Sequence, residues 1–298
     1  MLKINKTTKS LISLVIILIT LFLVVYFLDN HKNLINKFLS ISPLLLFEVF
    51  ILYFVMLIVL VLIFKFTMKL NNIDLHFKNN LFLNMVSLFM NFFIPGQSGP
   101  IYRAYYMKTE HKLKIRQFSL STLIYFGIYA VIAVLFIGFG VFNVYLFILS
   151  LVILSFGSYL FLRYYLKKKK ADFKIHLNTL FKLVVVTLFQ FIVQFVIYYL
   201  EIHSIKKNLP LKDVISYTGT AGLALFVALT PGAIGIRESF LLLTEKINHL
   251  NSSTIVFANL IDRSIYIAFL LVIGILIVIF HINKKINIKK QNSLEVIK

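Results

Sequence analysis

The chain has 298 residues, of which 60% are hydrophobic and 14% are charged, and its mean hydropathy is +0.91. Soluble domains contain about 45 to 50% apolar residues, so this composition excludes a soluble protein and indicates an integral membrane protein. The net charge of +20 lies mostly in short loops between apolar segments, so we interpret it as a topology signal and expect no nucleic-acid partner. The absence of cysteine excludes disulfides, thiolate chemistry and a cysteine zinc site.

Six apolar segments are long enough to cross ~30 Å of hydrocarbon as helices. They run roughly over residues 10–28, 43–64, 117–138, 141–162, 182–200 and 254–281. The first is too long, and is followed by residues too large, for a cleaved signal peptide, so we predict an uncleaved span. Because tryptophan is absent, we expect tyrosines near the ends of the segments to anchor the protein at the membrane interfaces: Tyr26, Tyr53, Tyr164, Tyr165, Tyr198 and Tyr199.

Two further apolar segments, 79–102 and 213–245, are interrupted by Pro-Gly motifs. The first contains Pro95-Gly96-x-x-Gly99 followed by Arg103, and the second contains Pro231-Gly232-x-x-Gly235 followed by Arg237. Proline removes a helical N–H and glycine relaxes the backbone, so in a bilayer such breaks must line a cavity or be buried in protein. Paired breaks in two halves are typical of a transporter-type binding site near the midplane. The alternative is an ordinary loop between helices at each motif.

The distribution of Lys and Arg predicts the topology. With a cytoplasmic N-terminus and two re-entrant broken segments, the inside loops hold 22 basic residues and the outside loops hold 7. If the first broken segment crossed the membrane, the lysine-rich loop 163–174 would lie outside, against the positive-inside rule. We therefore predict an all-α polytopic bundle in the cell (plasma) membrane, with both termini cytoplasmic.

The predicted bundle is one integral membrane domain over residues 1–298 with a pseudo-inverted arrangement. Its first half is about 1–138 with the re-entrant segment 79–102, and its second half is about 139–283 with the re-entrant segment 213–245. Residues 284–298 are expected to form a basic, cytoplasmic and disordered tail.

Polar and small residues recur at helical spacing in both broken segments. The first carries a polar stripe of Asn80, Asn84, Ser87 and Asn91. This stripe could line a cavity or form hydrogen bonds between neighbouring helices, and the sequence leaves both interpretations open. The second carries Thr220, Ala224 and Ala228, with Gly219 and Gly222 nearby, a pattern that predicts close helix packing.

Charged residues within apolar segments are the main candidates for function. Asp262 and Arg263 lie inside the last span, where a charge costs at least about 2.5 to 3.5 kcal/mol and is by default functional and paired. The candidate pairs are Asp262–Arg263 and Glu238–Arg263. Arg237 and Glu238, which are adjacent, could form a local ion pair or the gate of a site. A weaker polar stripe occupies the sixth span: Thr187, Gln190, Gln194, Tyr198 and Glu201. The predicted substrate-binding residues are Arg103, Arg237, Glu238, Asp262, Arg263, Asn91 and Asn259.

No motif for catalysis is found in the sequence. It contains no phosphate-binding loop, no His-Glu-x-x-His and no Gly-x-Ser-x-Gly. All seven histidines lie in predicted loops or at the ends of spans, which argues against an intramembrane histidine metal site. We therefore expect no catalytic residues, no metal and no cofactor.

The motifs resemble those of a known membrane family. Asn91-x-x-x-Pro95-Gly96-x-x-Gly99-x-x-x-Arg103-Ala104-Tyr105, and Pro231-Gly232-x-x-Gly235-x-x-Glu238 followed by Arg263, are similar to two motifs of the flippase-like membrane region of lysylphosphatidylglycerol synthases and of related stand-alone proteins. The resemblance covers nearly the whole chain and implies lipid translocation without catalysis by this region. Two positions depart from the family pattern: Pro100 replaces a usual glutamate, and Ile124-Tyr125-Phe126 stands where a Glu-Arg pair is frequent. The family's aminoacyl-transferring domain has no counterpart here, so we expect no synthesis of lysyl lipid.

Two main functional hypotheses follow. In the first, a flippase-like transporter moves lipids with polar, anionic or phosphate-bearing headgroups between leaflets. Arg103 and Arg237 receive the headgroup from opposite sides, and an Asp262–Arg263 pair stabilises the occluded middle. In the second, the chain is a scaffold or accessory subunit for a separate lipid-modifying or glycan-assembling enzyme. A membrane-embedded transferase is a third possibility, disfavoured because no nucleophile and base occur together. The expected partners are membrane lipids and either a second copy of the chain or such an enzyme.

Overall fold

The described part of the chain is entirely helical. A computed structural model describes residues 41–94, 97–141, 177–224, 226, 236–243 and 245–295. Its helices are α1 (Pro43–Lys69), α2 (Phe77–Phe93), α3 (Ser98–His111), α4 (Ile115–Val141), α5 (Leu177–Ile205), α6 (Leu211–Ala224), α7 (Ile236–Leu243), α8 (Glu245–Asn248) and α9 (Ser252–Glu295). The prediction of an all-α membrane protein is confirmed.

Four of the predicted spans are confirmed as helices long and apolar enough to cross a membrane. They are α1, α4, α5 and the first 29 residues of α9, with mean hydropathies of 2.3 to 3.0. The predicted spans 10–28 and 141–162 lie outside the described residues, apart from Val141. On the outer faces of these helices large apolar side chains such as Phe47, Phe181 and Leu271 remain exposed, which suits contact with lipid.

The last helix is longer than predicted. The tail 284–298 was expected to be disordered, but α9 continues to Glu295, so this prediction is wrong for residues 284–295. The segment contains neither proline nor glycine, and its lysine, glutamine, leucine and glutamate residues have good helix propensity. A high charge density alone therefore does not end the helix.

The first broken segment forms an antiparallel helix pair. Ile94 is extended and Gln97 adopts a left-handed φ of 53°, an uncommon conformation for a residue other than glycine. The chain then reverses, so that Ser98 Oγ donates a hydrogen bond to the Met90 carbonyl at 2.7 Å. A Cβ atom on Gly99 would lie 2.4 Å from the Ser87 carbonyl oxygen, so only glycine permits this approach of α3 to α2. Pro95 and Gly96 lie outside the described residues.

The second broken segment is anchored on a helix of the first half. Helix α6 runs antiparallel to α4, and a Cβ atom on Gly219 would lie 2.5 Å from the Ala133 carbonyl oxygen. Close packing of this segment is therefore confirmed, and Gly219 lies at one of its closest contacts. Ala228 and the three motif residues lie outside the described residues: Pro231, Gly232 and Gly235.

The largest buried apolar cluster of the described residues combines side chains from α1, α2, α5, α6, α7 and α9. Tyr217, Phe191 and Phe269 are among the largest side chains that are fully buried. Helix α1 packs against α5, α2 and α9, so the first half and the second half share one core. This core surrounds the polar residues described next.

Candidate functional site

A cavity of about 370 Å³ lies between the two broken segments. Residues from α1, α2, α3, α4, α5, α7 and α9 line it. Asn91 and Gln97 flank the first break, whereas Phe226 and Arg237 flank the described ends of the second, and all four face this cavity. One cavity therefore connects both interrupted segments, although they are more than a hundred residues apart in the chain.

A buried ion pair forms one wall of the cavity. Arg237 Nη1 lies 2.5 Å from Asp262 Oδ2, and the two side chains are only 6% and 7% exposed. Tyr53 donates its hydroxyl hydrogen to the other oxygen of Asp262, and Arg237 Nη2 donates to the Tyr198 hydroxyl at 2.9 Å. Two tyrosines on different helices thus form hydrogen bonds with Asp262 Oδ1 and Arg237 Nη2, the groups that the ion pair itself does not use. Such additional hydrogen bonds are what a buried ion pair requires.

A second ion pair lies next to the first. Arg263 donates from Nε and Nη2 to Glu238 Oε1, at 3.3 and 3.2 Å, in a more accessible position. The two pairs therefore connect α7 with α9. The proposed Asp262–Arg263 pair and the local Arg237–Glu238 pair are wrong, because adjacent residues of a helix point about 100° apart and do not face each other. The alternative Glu238–Arg263 pair is the one that forms.

Arg103 differs from the other two arginines of the cavity. Its guanidinium lies over the Phe64 ring, 5.0 Å from the ring centre, in a cation–π arrangement. Among the described residues no carboxylate pairs with it, and its buried Nε has no hydrogen-bond partner. Among the described residues, three arginines thus lie at this site with two carboxylates that pair with them, Asp262 and Glu238, which leaves one positive charge in excess.

Neutral polar groups complete the lining. Tyr125 donates a hydrogen bond to Gln190 Oε1 at 3.1 Å, and Tyr129 lies 3.5 Å from Gln194 Oε1. These contacts place the middle of the polar stripe on α5 at the cavity. Its two ends lie elsewhere: Thr187 bonds to the Leu183 carbonyl, and Glu201 is fully buried outside the cavity lining.

The polar stripe on α2 has both of the roles that the sequence left open. Asn80 donates to the Val61 carbonyl of α1 at 2.8 Å, and Asn84 donates to the carbonyl and side-chain oxygens of Asn80. Ser87 and Asn91 instead line the cavity. The half of the stripe nearer to the helix start therefore joins helices, and the half nearer to the break is available to a ligand.

The structure brings most of the predicted substrate-binding residues together. Arg103, Arg237, Asp262, Arg263 and Asn91 line the cavity, and Glu238 pairs with one of them. Asn259 is buried outside the lining and donates to the Tyr217 hydroxyl at 3.3 Å. Their role in substrate binding stays a prediction.

Two tyrosines of the site were predicted to have a different role. Tyr53 and Tyr198 are buried, at 8% and 4% exposure, so the interfacial role predicted for them is wrong. Of the remaining predicted anchors, Tyr26, Tyr164 and Tyr165 lie outside the described residues. For Tyr198 a signal was present in the sequence, because this residue belongs to the polar stripe of α5.

Both departures from the family motifs also lie at the cavity. Pro100 and Tyr125, at which the sequence departs from the motifs that it resembles, line the cavity. Pro100 is three residues before Arg103, on the same helix. Proline has no carboxylate to pair with this arginine, in agreement with the unpaired state of Arg103 among the described residues.

Comparison with curated proteins finds no match. Comparison with family models finds one described as the lysylphosphatidylglycerol synthase TM region, which matches residues 10–274. The matched range includes both Pro-Gly motifs, all three arginines of the cavity and both carboxylates that pair with them. The chain therefore belongs to the lysylphosphatidylglycerol synthase TM region family.

Proposed function

We propose that this protein is a flippase-like transporter that moves lipids with anionic, phosphate-bearing headgroups between the two leaflets. The observation that carries the proposal is the guanidinium of Arg103, which lies at the cavity without a carboxylate partner among the described residues. Arg237 and Arg263 are each paired and contribute little net charge. The cavity therefore favours an anion, and membership of a lipid-related membrane family supports a lipid as its source.

The size and chemistry of the cavity suit a headgroup. A volume of about 370 Å³ is at the small end of ligand pockets, which measure about 300 to 1,000 Å³, so it can hold a headgroup while the acyl chains remain in the bilayer. Arginine binds phosphate with two parallel hydrogen bonds. Asn91, Gln97 and Gln190 supply neutral groups that can contact ester or hydroxyl oxygens.

The proposed topology provides access from both leaflets. In it, residues 79–102 re-enter from the cytoplasm, residues 213–245 re-enter from outside, and both termini are cytoplasmic in the plasma membrane. The chain reversal between α2 and α3 supports re-entry of the first segment. The excess of basic residues in the loops assigned to the inside supports the orientation. Arg103 would then face one leaflet and Arg237 the other.

The proposed transporter is not an enzyme. We propose that it binds membrane lipids directly and that a nucleotide does not drive it, since the sequence has no phosphate-binding loop. The alternative is a scaffold or accessory subunit for a separate lipid-modifying or glycan-assembling enzyme. In that case Arg103 would matter only for folding or partner binding, and the purified protein would move no lipid.

Reconstitution with a matched pair of arginine variants tests the proposal. Purified protein is placed in vesicles that contain a fluorescent anionic phospholipid, and translocation is measured from the loss of accessible fluorescence. Loss of a charge-assisted hydrogen bond costs about 1.5 to 3 kcal/mol, so Arg103→Gln should weaken headgroup binding roughly 10- to 150-fold. Arg116→Gln, which alters an exposed arginine at the start of α4, should leave the rate unchanged.

Two outcomes would contradict the proposal. One is a wild-type rate no higher than that of protein-free vesicles. The other is equal rates for Arg103→Gln and Arg116→Gln when both variants elute as folded protein from a sizing column. The same assay with a fluorescent neutral glycolipid measures the headgroup preference, because a cavity with excess positive charge should transport the anionic lipid faster.

A further inference from the structure

The side chain of Glu201 is an unusual feature of α5. It is 0% exposed, and neither carboxyl oxygen has a hydrogen-bond partner among the described residues. It lies outside the lining of the cavity, three residues after Tyr198 on the same helix. None of the interactions used for the proposed function involves it.

No described residue forms an ion pair with Glu201. Helices α1, α6, α7 and α9, together with its own helix, present titratable or charged groups that interact with it electrostatically: Tyr53, Tyr217, Arg237, Asp262 and Tyr198. Arg237 is the cation of this set, and it already binds Asp262 at 2.5 Å. An ionised carboxylate buried without a hydrogen bond or its own counter-charge is strongly disfavoured relative to the neutral acid.

We propose that Glu201 is a proton-binding site and that its protonation is coupled to the ion pair between Arg237 and Asp262. In the arrangement of the structure, Glu201 holds the proton and Arg237 binds Asp262. When the O–H bond of Glu201 breaks, the proton passes to water in the cavity, and no electron is transferred. The new carboxylate then competes with Asp262 for the guanidinium of Arg237.

The structure contains the groups that such competition needs. Arg237 Nε is buried and has no hydrogen-bond partner among the described residues, so the guanidinium has a donor to spare. Tyr198, which accepts a hydrogen bond from Arg237 Nη2, lies one helical turn from Glu201 and faces the cavity. Movement of Arg237 towards Glu201 would withdraw its charge from Asp262 at the cavity wall. The protonation state of Glu201 would thereby change the charge at the headgroup site without contact between Glu201 and the headgroup.

For a transporter, this coupling supplies a driving force. This part of the inference rests on the proposed function, whereas the proton-binding site itself does not. A protonated Glu201 favours the Arg237–Asp262 pair, and a deprotonated Glu201 weakens it. With a difference in pH across the membrane, the Arg237–Asp262 pair would be favoured when the cavity is open to the acidic side. The pair would be weakened when the cavity is open to the opposite side. Each unit of pH can bias a coupled step by up to about tenfold per proton.

Infrared spectroscopy tests the proton-binding site without any transport. Wild-type protein in lipid nanodiscs is titrated near neutral pH, and the C=O stretching band of protonated carboxylic acids is recorded. We expect this band in the wild type, its loss in Glu201→Gln, and its retention in Glu48→Gln, which alters an exposed carboxyl on α1. A band unchanged in Glu201→Gln would overturn the proposal, as would loss of the wild-type band on addition of sodium at constant pH, since a metal cation would then occupy the site.

A transport measurement tests the coupling separately. In vesicles with a gradient of one pH unit, wild-type flux should change by up to about tenfold relative to vesicles without a gradient, and Glu201→Gln should lose this response. A wild-type flux that ignores the gradient would overturn the coupling. Absence of any wild-type flux would overturn the proposed function and with it the coupling, while the infrared band would still decide whether Glu201 binds a proton.

Discussion

Replacement of Asp262 by asparagine should destabilise the protein far more than its small change in shape suggests. The variant keeps an acceptor for the Tyr53 hydroxyl but leaves Arg237 as a buried cation without its 2.5 Å partner. Removal of one member of a buried ion pair costs about 3 to 5 kcal/mol. By contrast, Lys65 and Asp74 are 3.8 Å apart with 39% and 66% exposure, so Asp74→Asn should cost no more than about 1 kcal/mol.

The assay is equilibrium unfolding in mixed micelles with increasing dodecyl sulfate. Because the chain has no tryptophan and 15 tyrosines, near-ultraviolet circular dichroism of the tyrosines reports the loss of tertiary packing. The double variant Arg237→Gln with Asp262→Asn removes both charges. It should therefore be more stable than the sum of the single variants predicts, by about 0.5 to 3 kcal/mol. Equal stabilities of Asp262→Asn and Asp74→Asn would refute the buried ion pair, as would strict additivity in the double variant.

Two further predictions concern helix packing and topology. Gly219→Ala should lower the free energy of unfolding in the same assay by about 1 to 3 kcal/mol, because the added Cβ would lie 2.5 Å from a backbone oxygen. In Gly127→Ala the added Cβ meets no atom within 4 Å, so this variant should raise the free energy of unfolding by about 0.5 to 1 kcal/mol. The opposite ranking of the two variants would contradict the α4–α6 packing. Single cysteines introduced at Lys112 and Lys207, both exposed, should differ towards an impermeant thiol reagent on intact cells. Only position 207 should react, and labelling at position 112 would rule out re-entry of the first broken segment.

The charged residues of the site could be predicted from the sequence, but their pairing could not. Arg237, Asp262 and Arg263 were identified because a charge in an apolar segment is costly enough to require a reason. The partner of each depends on the rotation of α7 relative to α9, and a sequence carries no direct measure of that rotation. Both observed pairs join residues 25 positions apart in the chain. This equal spacing predicts the pairs only when it is known that α7 and α9 face each other.

The helix breaks were predicted from local chemistry, whereas the cavity depends on tertiary structure. Gly99 marks the close approach of α3 to α2, as the freedom of a glycine backbone suggests. The position of Arg103 could not be deduced in the same way, since whether a carboxylate pairs with it depends on every neighbouring helix. Tyr53 was misassigned because a tyrosine in an apolar segment suits an interface and a buried hydrogen bond equally well.

The close packing of α4 and α6 determines which parts of the molecule can move. Gly140 lies against Ser216 and Lys212, and Gly219 lies against Ala133, so the two backbones are in contact over at least two helical turns. Sliding one helix along the other would force side chains into these contacts, because packed helices have only a few discrete arrangements. Helix α6 must therefore travel together with α4 as one rigid body. Opening of the cavity would then involve its other walls, such as the contact between α2 and α9.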